Sequence, residues 1–302
     1  MAPMDDVTDT VFRQIVTDCA KPDLFFTEFV NVDGLQSPGR PRLMHKLALS
    51  AKEKPVVAQL WGLKPENFRK TAAEVKAMGY DGVDLNMGCP VKTVIKNGAC
   101  AALINNRELA KEIILATREG VGPDFPVSVK TRVGFTTVDM SWIEYLLDLK
   151  ILDLLSIHGR TAKQLSKVPA NWDLIGQARE LRDNLSPATL IAGNGDIQSR
   201  AQGEELALKY RLDGVMAGRG IFEDPFLFAQ NSPWAEYTRQ QKTELFHRHI
   251  QLFGQTYKNN ERRLETLRKF AKVYINNFDG AKELREQIMQ AETLPGLLAV
   301  LS

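Results

Sequence analysis

Cys89 lies in the run Asn86-Met87-Gly88-Cys89-Pro90. Glycine permits a sharp turn before the cysteine, and proline stops an extended segment after it. The thiol is therefore expected to leave the end of a strand. A cysteine so placed serves as a nucleophile, a proton donor or a small buried apolar residue, and the residue types leave all three open. Lys130 sits inside the apolar run Pro126–Gly134 (PVSVKTRVG). An amine in a buried strand is expensive unless solvent or an anion reaches it. It either meets water at the strand end or stands against an electron-rich group, such as the N1/C2=O edge of a reduced flavin. Two glycine-rich stretches, Gly193-Asn194-Gly195-Asp196 and Gly218-Arg219-Gly220, each follow an apolar run. Glycines let backbone N–H groups approach an anion, and arginine adds charge-assisted donors. One such stretch reads as a tight turn; two in succession favour a phosphate. His158 either donates to a ligand or is a satisfied structural residue. Cys19 and Cys100 carry no comparable setting. His45, His247 and His249 show no metal spacing and read as surface residues, so no metal site is expected.

These residues need elements to position them. Seven apolar runs of strand length recur along residues 1–231: 23–30, 55–62, 82–89, 126–134, 154–160, 189–196 and 214–220. Unbroken apolar character suits strands covered on both faces, as in parallel sheets. Between them lie helical stretches. Residues 65–78 open on Pro65 and stop before Gly79, and residues 106–117 open on an asparagine cap. Alternation of this kind predicts a (β/α)₈ TIM barrel. Its first strand is truncated or residual, because only Met1-Ala2-Pro3-Met4 stands where it belongs. An open doubly wound sheet satisfies the same count but lacks an early G-x-G-x-x-G. In a barrel, Gln59, Asn86, Cys89, Lys130, Arg132, His158, Arg160, Asn194, Asp196 and Arg219 ring one mouth at the C-terminal strand ends.

From Ser232 the strand-like runs cease. Phe246, Ile250, Phe253 and Tyr257, then Leu264, Leu267, Ala271, Tyr274 and Phe278, recur at helical spacing. They predict a small helical bundle over 232–302. That segment holds 11 Lys/Arg against 8 Asp/Glu, whereas the whole chain carries a net charge of +2. Six of its basic residues fall within Lys258–Lys272, against two acidic ones. Arg262, Arg263, Arg268, Lys269 and Lys272 there read as an RNA-contacting face or a solvated one. The chain has 302 residues, 44% of them hydrophobic and three of them cysteine. A disulfide scaffold and a membrane span are excluded on that pattern. A cytoplasmic location and a monomer are the expectations.

APMDDVTD, QLWG, DLNMGCP, VKTRVG, HGRT, GNGDI and GRGIFEDPFLF occur in that order over residues 1–230. Together they resemble the tRNA-dihydrouridine synthases, and residues 232–302 resemble that family's helical domain more weakly. The resemblance implies an FMN-binding TIM barrel, 1–231, and a tRNA-binding domain, 232–302. The activity it implies is NADPH-driven reduction of the C5=C6 bond of specific tRNA uridines. It further implies that Pro3, Met4 and Asp5 contact the isoalloxazine, with Gln59 and Lys130 beside it and His158 near the ring and phosphate. Asn194, Gly195, Asp196, Gly218 and Arg219 would hold the phosphate, and Asn86, Arg132 and Arg160 would face the substrate. Cys89 matches the family's proton donor. A proton donor must be protonated, so its pKa is not expected to be strongly lowered. Asp6 stands where the family commonly has glycine, so the loop after the first strand is expected to differ.

Three other readings share some of these features. A dihydroorotate dehydrogenase-like FMN enzyme would act on a free pyrimidine and would not need the basic helices. An RNA-binding protein could keep FMN only structurally. A phosphate-binding barrel isomerase would need a carboxylate base at a strand end, and none is evident in the sequence.

Overall fold

The computed structural model describes residues 1–301. Each apolar run forms parallel sheet, because side chains on both faces of the run find apolar neighbours. The run 23–30 divides into β1 (Phe25–Phe26) and β2 (Val30–Asn31), and both pair with β3 (Val56–Trp61). The sheet continues through β4 (Gly82–Met87), β5 (Val127–Arg132), β6 (Leu154–His158), β7 (Leu190–Asn194) and β8 (Gly214–Met216), each parallel to the last. With helices outside it, this is the TIM-barrel architecture the alternation predicts.

The seam lies between β8 and β1. There the Ala2 amide donates to Ala217 O at 2.7 Å, and the amino group of Met1 donates to Leu24 O at 2.6 Å. Residues 1–4 thus bridge the two edge strands without forming a regular strand themselves.

Helices 65–77 and 107–121 lie side by side on the outer layer. Gly120 permits their close approach: a Cβ there would stand 2.1 Å from the Arg69 carbonyl oxygen. Side-chain caps fix several helix starts, among them Asp9 on the Phe12 amide at 2.8 Å and Asn106 on the Leu109 amide at 3.3 Å.

After β8 the described chain is helical. Helix Arg239–Thr256 buries Phe246, Ile250 and Phe253, with Tyr257 buried just beyond its end, as the spacing predicts. The second predicted helix is instead broken into Leu264–Arg268 and Ala271–Tyr274. Short helices gain little from propagation, and the burial of Leu267, Phe270 and Tyr274 holds these in place. These helices pack on helix Thr10–Ala20, with the Phe12 and Phe270 rings 4.7 Å apart. His249 is not at the surface. It is 1% exposed, stacks on Phe12 and shares a 2.8 Å hydrogen bond with the Tyr274 hydroxyl. Burial pulls its pKa down to about 3, so it is neutral and serves packing.

Candidate active site

Two sets of side chains meet at the C-terminal mouth of the barrel. The first is a chain of hydrogen bonds that rises from the barrel interior to Cys89. Ser128 Oγ donates to Asp84 Oδ1 at 2.5 Å, and Gln59 Nε2 donates to Asp84 Oδ2 at 2.6 Å. Asn86 Nδ2 donates to Gln59 Oε1 at 3.0 Å. Asn86 Oδ1 in turn accepts the amides of Gly88 at 3.1 Å and Cys89 at 2.9 Å. Gln59, Asp84 and Ser128 occupy one register row of β3, β4 and β5. Pleating then places Asp84 and Asn86 on one face of β4, so the row below orients the residue above. Burial pushes the Asp84 carboxyl up to about 6, against the pull of the Ser128 and Gln59 hydrogen bonds. Cys89 is half-buried at the top.

Cys100, whose sequence setting marked it less than that of Cys89, is the neighbour of that thiol. The segment after Cys89 turns back, and the Ala101 amide donates to Cys89 O at 3.3 Å. The two thiols are hydrogen-bonded to each other. That bond pulls the Cys89 pKa down to about 7, in spite of burial, and the Cys100 thiol is raised well above its ordinary value. The expectation that Cys89 is not strongly lowered is corrected here. A donor aimed at the sulfur stabilises its anion.

The second set is cationic. A cavity of about 580 Å³ is lined by Pro3 and Met4 on one wall, the 194–198 and 218–220 turns on another, and Lys130, Arg132, His158 and Arg160 between them. Its volume lies in the range of about 300–1,000 Å³ that small-molecule sites occupy. Lys130 Nζ donates to Asn194 Oδ1 at 2.9 Å, and Asn194 Nδ2 donates to Met216 O at 2.6 Å. Burial, with Arg132 close by, pulls the lysine down to about 8. Arg132 is itself pulled down to about 10, first by burial and then by the neighbouring Arg160 and Arg219. Burial, followed by Lys130 and the same arginines, drives the His158 pKa far down, so the ring is neutral. Four cations facing one cavity with mutual repulsion suit an anion between them. Gly195, at φ +136°, has no room for a side chain: a Cβ would stand 2.5 Å from Ala170 Cβ.

Several expected site residues have other tasks. Asp196 lines the cavity, but its carboxylate is engaged with protein groups and repels rather than binds a phosphate. Its carboxylate holds Arg160, Arg219 and the Ala170 amide. Arg132 donates to Gly88 O at 2.7 Å and to Thr161 O at 3.2 Å, which clamps the turn carrying Cys89. Gln59 is wholly buried and Asn86 nearly so, both in the hydrogen-bond chain below the cysteine. Asp5 lies at the rim in an ion pair with Lys46.

The basic C-terminal stretch divides in two. Arg263, Lys269 and Lys272 are exposed, Lys269 reaching Asp6 at 3.5 Å. Arg268 is half-buried and donates to Ala291 O. Arg262 is not on a solvated face at all. Its side chain is 2% exposed, 2.5 Å from Glu28, 3.4 Å from Asp9 and 3.5 Å from Asp6, and its guanidinium lies over the Tyr257 ring. Glu28 stands at a strand end with no exposure and also accepts the Asp6 amide at 2.7 Å. The loop after the first strand is therefore tied down through Asp6. Here is the strand-end carboxylate that sequence reading missed, and it is neutralised by an arginine from the helical segment. Among the described residues no helix is long and apolar enough to cross a membrane.

A parallel barrel with a cationic cavity beside a clamped thiol has the architecture of a TIM barrel whose mouth suits an anion. The family model described as dihydrouridine synthase (Dus) matches residues 1–301. A curated Staphylococcus aureus (strain COL) protein named "Probable tRNA-dihydrouridine synthase" is 44% identical over 100% of this chain and 91% of its own length. The Bacillus subtilis (strain 168) protein named "Probable tRNA-dihydrouridine synthase 2" is 42% identical over 100% of this chain and 92% of its own. The chain belongs to the dihydrouridine synthase family of oxidoreductases. Solved structures share the fold at low identity. A 2-naphthoyl-CoA reductase complex has a TM-score of 0.59 at 13% identity, covering 76% of this chain and 48% of that one. A 6-hydroxypseudooxynicotine amine oxidase from Pseudomonas geniculata has a TM-score of 0.55 at 12%, covering 75% and 45%. The chain thus spans about half the length of these two structures.

Proposed function

We propose that the protein reduces particular uridines of tRNA to 5,6-dihydrouridine, with FMN as cofactor and NADPH as electron donor. The observation that carries this reading is the placement of a clamped thiol at the same barrel mouth as a cavity of four cations. The cavity suits FMN: its cations face a space that wants an anion, and Gly195 keeps the backbone open to it. Asn194, Gly195, Gly218 and Arg219 would hold the phosphate, with Arg160 aimed by Asp196. Lys130 and the neutral His158 would lie along the ring system, and Pro3 and Met4 would supply an apolar wall. FMN bound there would supply hydride chemistry at uracil C6, with NADPH as the source of the electrons.

The chain's own residues manage the proton and the base. Cys89 gives a proton to C5. Asn86 fixes the backbone of Cys89, and Gln59, Asp84 and Ser128 fix Asn86. Arg132 holds the other side of the turn through Gly88 O. Cys100 donates to the sulfur, which stabilises the thiolate left after transfer. A uracil in folded tRNA must leave its stack to enter the mouth, at a cost of a few kcal/mol. Contacts to the folded RNA offset that cost. We assign them to residues 232–302 as a tRNA-binding domain beside a catalytic barrel of residues 1–231, with Arg263, Lys269 and Lys272 as the exposed cations. Arg262 and Arg268 are left out because protein groups already occupy them.

The test is anaerobic and spectroscopic. NADPH should bleach the flavin absorbance of the purified holoenzyme, and unmodified tRNA, not free uracil or orotate, should restore it with formation of dihydrouridine. Cys89→Ala should still bind tRNA and lose turnover by about 10²–10⁴-fold, the usual worth of a positioned acid. Recovery of colour with free pyrimidine would refute the tRNA reading.

A further inference from the structure

Cys100 has no task in the reaction beyond its hydrogen bond, yet its placement is specific. Pro90 and the helical turn Lys92–Lys96 carry the chain away from Cys89, and Gly98, at φ +88°, bends it back. Cys100 itself adopts φ +53°, a left-handed conformation that a side chain rarely takes without support. The Ala101 amide supplies that support by its bond to Cys89 O. Peptide geometry and that 3.3 Å bond limit the two Cα atoms to within about 8 Å. Disulfides bridge Cα separations of about 4.4–6.8 Å, a range that falls within this limit. The thiols already touch. Cys89 is half-buried at the mouth, whereas Cys100 is fully buried behind it.

We propose that Cys89 and Cys100 form a reversible peroxide-sensitive pair, in which oxidation joins the two sulfurs and stops the enzyme. The oxidant is a hydroperoxide, reduced by two electrons. The Cys89 thiolate attacks one peroxide oxygen, the O–O bond breaks, and hydroxide (or alkoxide) leaves a sulfenic acid. The Cys100 sulfur then attacks the Cys89 sulfur. The S–O bond breaks, a proton from Cys100 goes to the leaving hydroxide, and water departs. The pair loses two hydrogens in all, and an external dithiol returns them. The order follows from access, since peroxide reaches the mouth before the buried thiol. The Cys89 pKa of about 7 gives it thiolate character at neutral pH. The remaining cysteine, Cys19, is pushed up to about 12 by burial and serves as an internal control.

The loss of activity rests on the proton-donor reading; the bond between sulfurs does not. The holoenzyme is treated with hydrogen peroxide, quenched, alkylated in denaturant and mapped by mass spectrometry without reduction. A linked peptide carrying Cys89 and Cys100, short of two hydrogens, is expected. Dithiothreitol should restore both thiols and turnover, with Cys19 alkylated throughout. In Cys100→Ala, and in Cys100→Ser should alanine unfold the loop, Cys89 should instead pass to sulfinic acid that dithiothreitol does not reverse. Cys89 that stays alkylatable, or that becomes sulfinic acid in the wild type without a linked peptide, overturns the proposal and leaves the proton-donor reading intact. A linked peptide without loss of turnover would overturn the proton-donor reading and, with it, the claim that oxidation stops the enzyme.

Discussion

Arg262→Ala separates a structural arginine from an RNA-contacting one. The guanidinium lies against Glu28, which has no exposure, and Asp9, which is 2% exposed. Removing it leaves Asp9 without its counter-ion and Glu28 with only Lys46, 3.9 Å away, at the junction of barrel and helices. Breaking a buried pair by deleting one partner costs about 3–5 kcal/mol. With a urea m-value of about 3 kcal/mol/M, the unfolding midpoint should fall by about 1–1.7 M. Glu28→Gln removes one of the stranded charges, so adding it to Arg262→Ala should cost less than the two single effects summed. A coupling of about 0.5–3 kcal/mol is expected for groups in contact. The assay is urea unfolding followed by tryptophan fluorescence, for wild type, both singles and the double, each with KM for tRNA measured on the folded protein. A midpoint unchanged by Arg262→Ala together with a raised KM for tRNA would refute the structural assignment. Additive singles would refute the contact with Glu28.

Three more outcomes are expected. Proton delivery needs protonated Cys89, so the rate with tRNA should fall as pH rises through about 7; in Cys100→Ala that limb should move up by about two units, toward the ordinary thiol value, and a pH–rate profile that does not move would sink the role of the Cys100 hydrogen bond. Gly195→Ala must place a methyl 2.5 Å from Ala170 Cβ at a φ of +136°, so the purified variant should hold less flavin per chain by absorbance, and a full complement would show that the 194–196 turn is not the phosphate cradle. Replacing Arg263, Lys269 and Lys272 with glutamine should weaken tRNA binding and flatten its logarithmic salt dependence by about 0.7–0.9 for each phosphate no longer neutralised; an unchanged slope would move the RNA surface elsewhere.

Much of this molecule is written in short stretches of sequence. Strand length, unbroken apolar character and glycine-rich ends mark the barrel because a parallel strand covered on both faces admits few polar residues. The polar residues that remain at strand ends, Asn86, Lys130, His158 and Asn194, do meet at one mouth, because pleating and register carry local order into space. Asp84 and Ser128 were also legible in principle, as polar positions two residues before Asn86 and Lys130 within apolar strands. What the sequence alone could not decide was pairing across long separations. Basic residues at 262, 263, 268, 269 and 272 look alike along the chain, yet Arg262 finds Glu28 and Asp9 while Arg263 finds solvent. His249 is buried by Phe12, Phe270 and Tyr274, distant in sequence, as well as by its near neighbour Phe246. The approach of Cys100 to Cys89 depends on how a loop returns. Periodicity reports which face of an element is apolar. Which charge, ring or thiol stands opposite is fixed only when the elements pack.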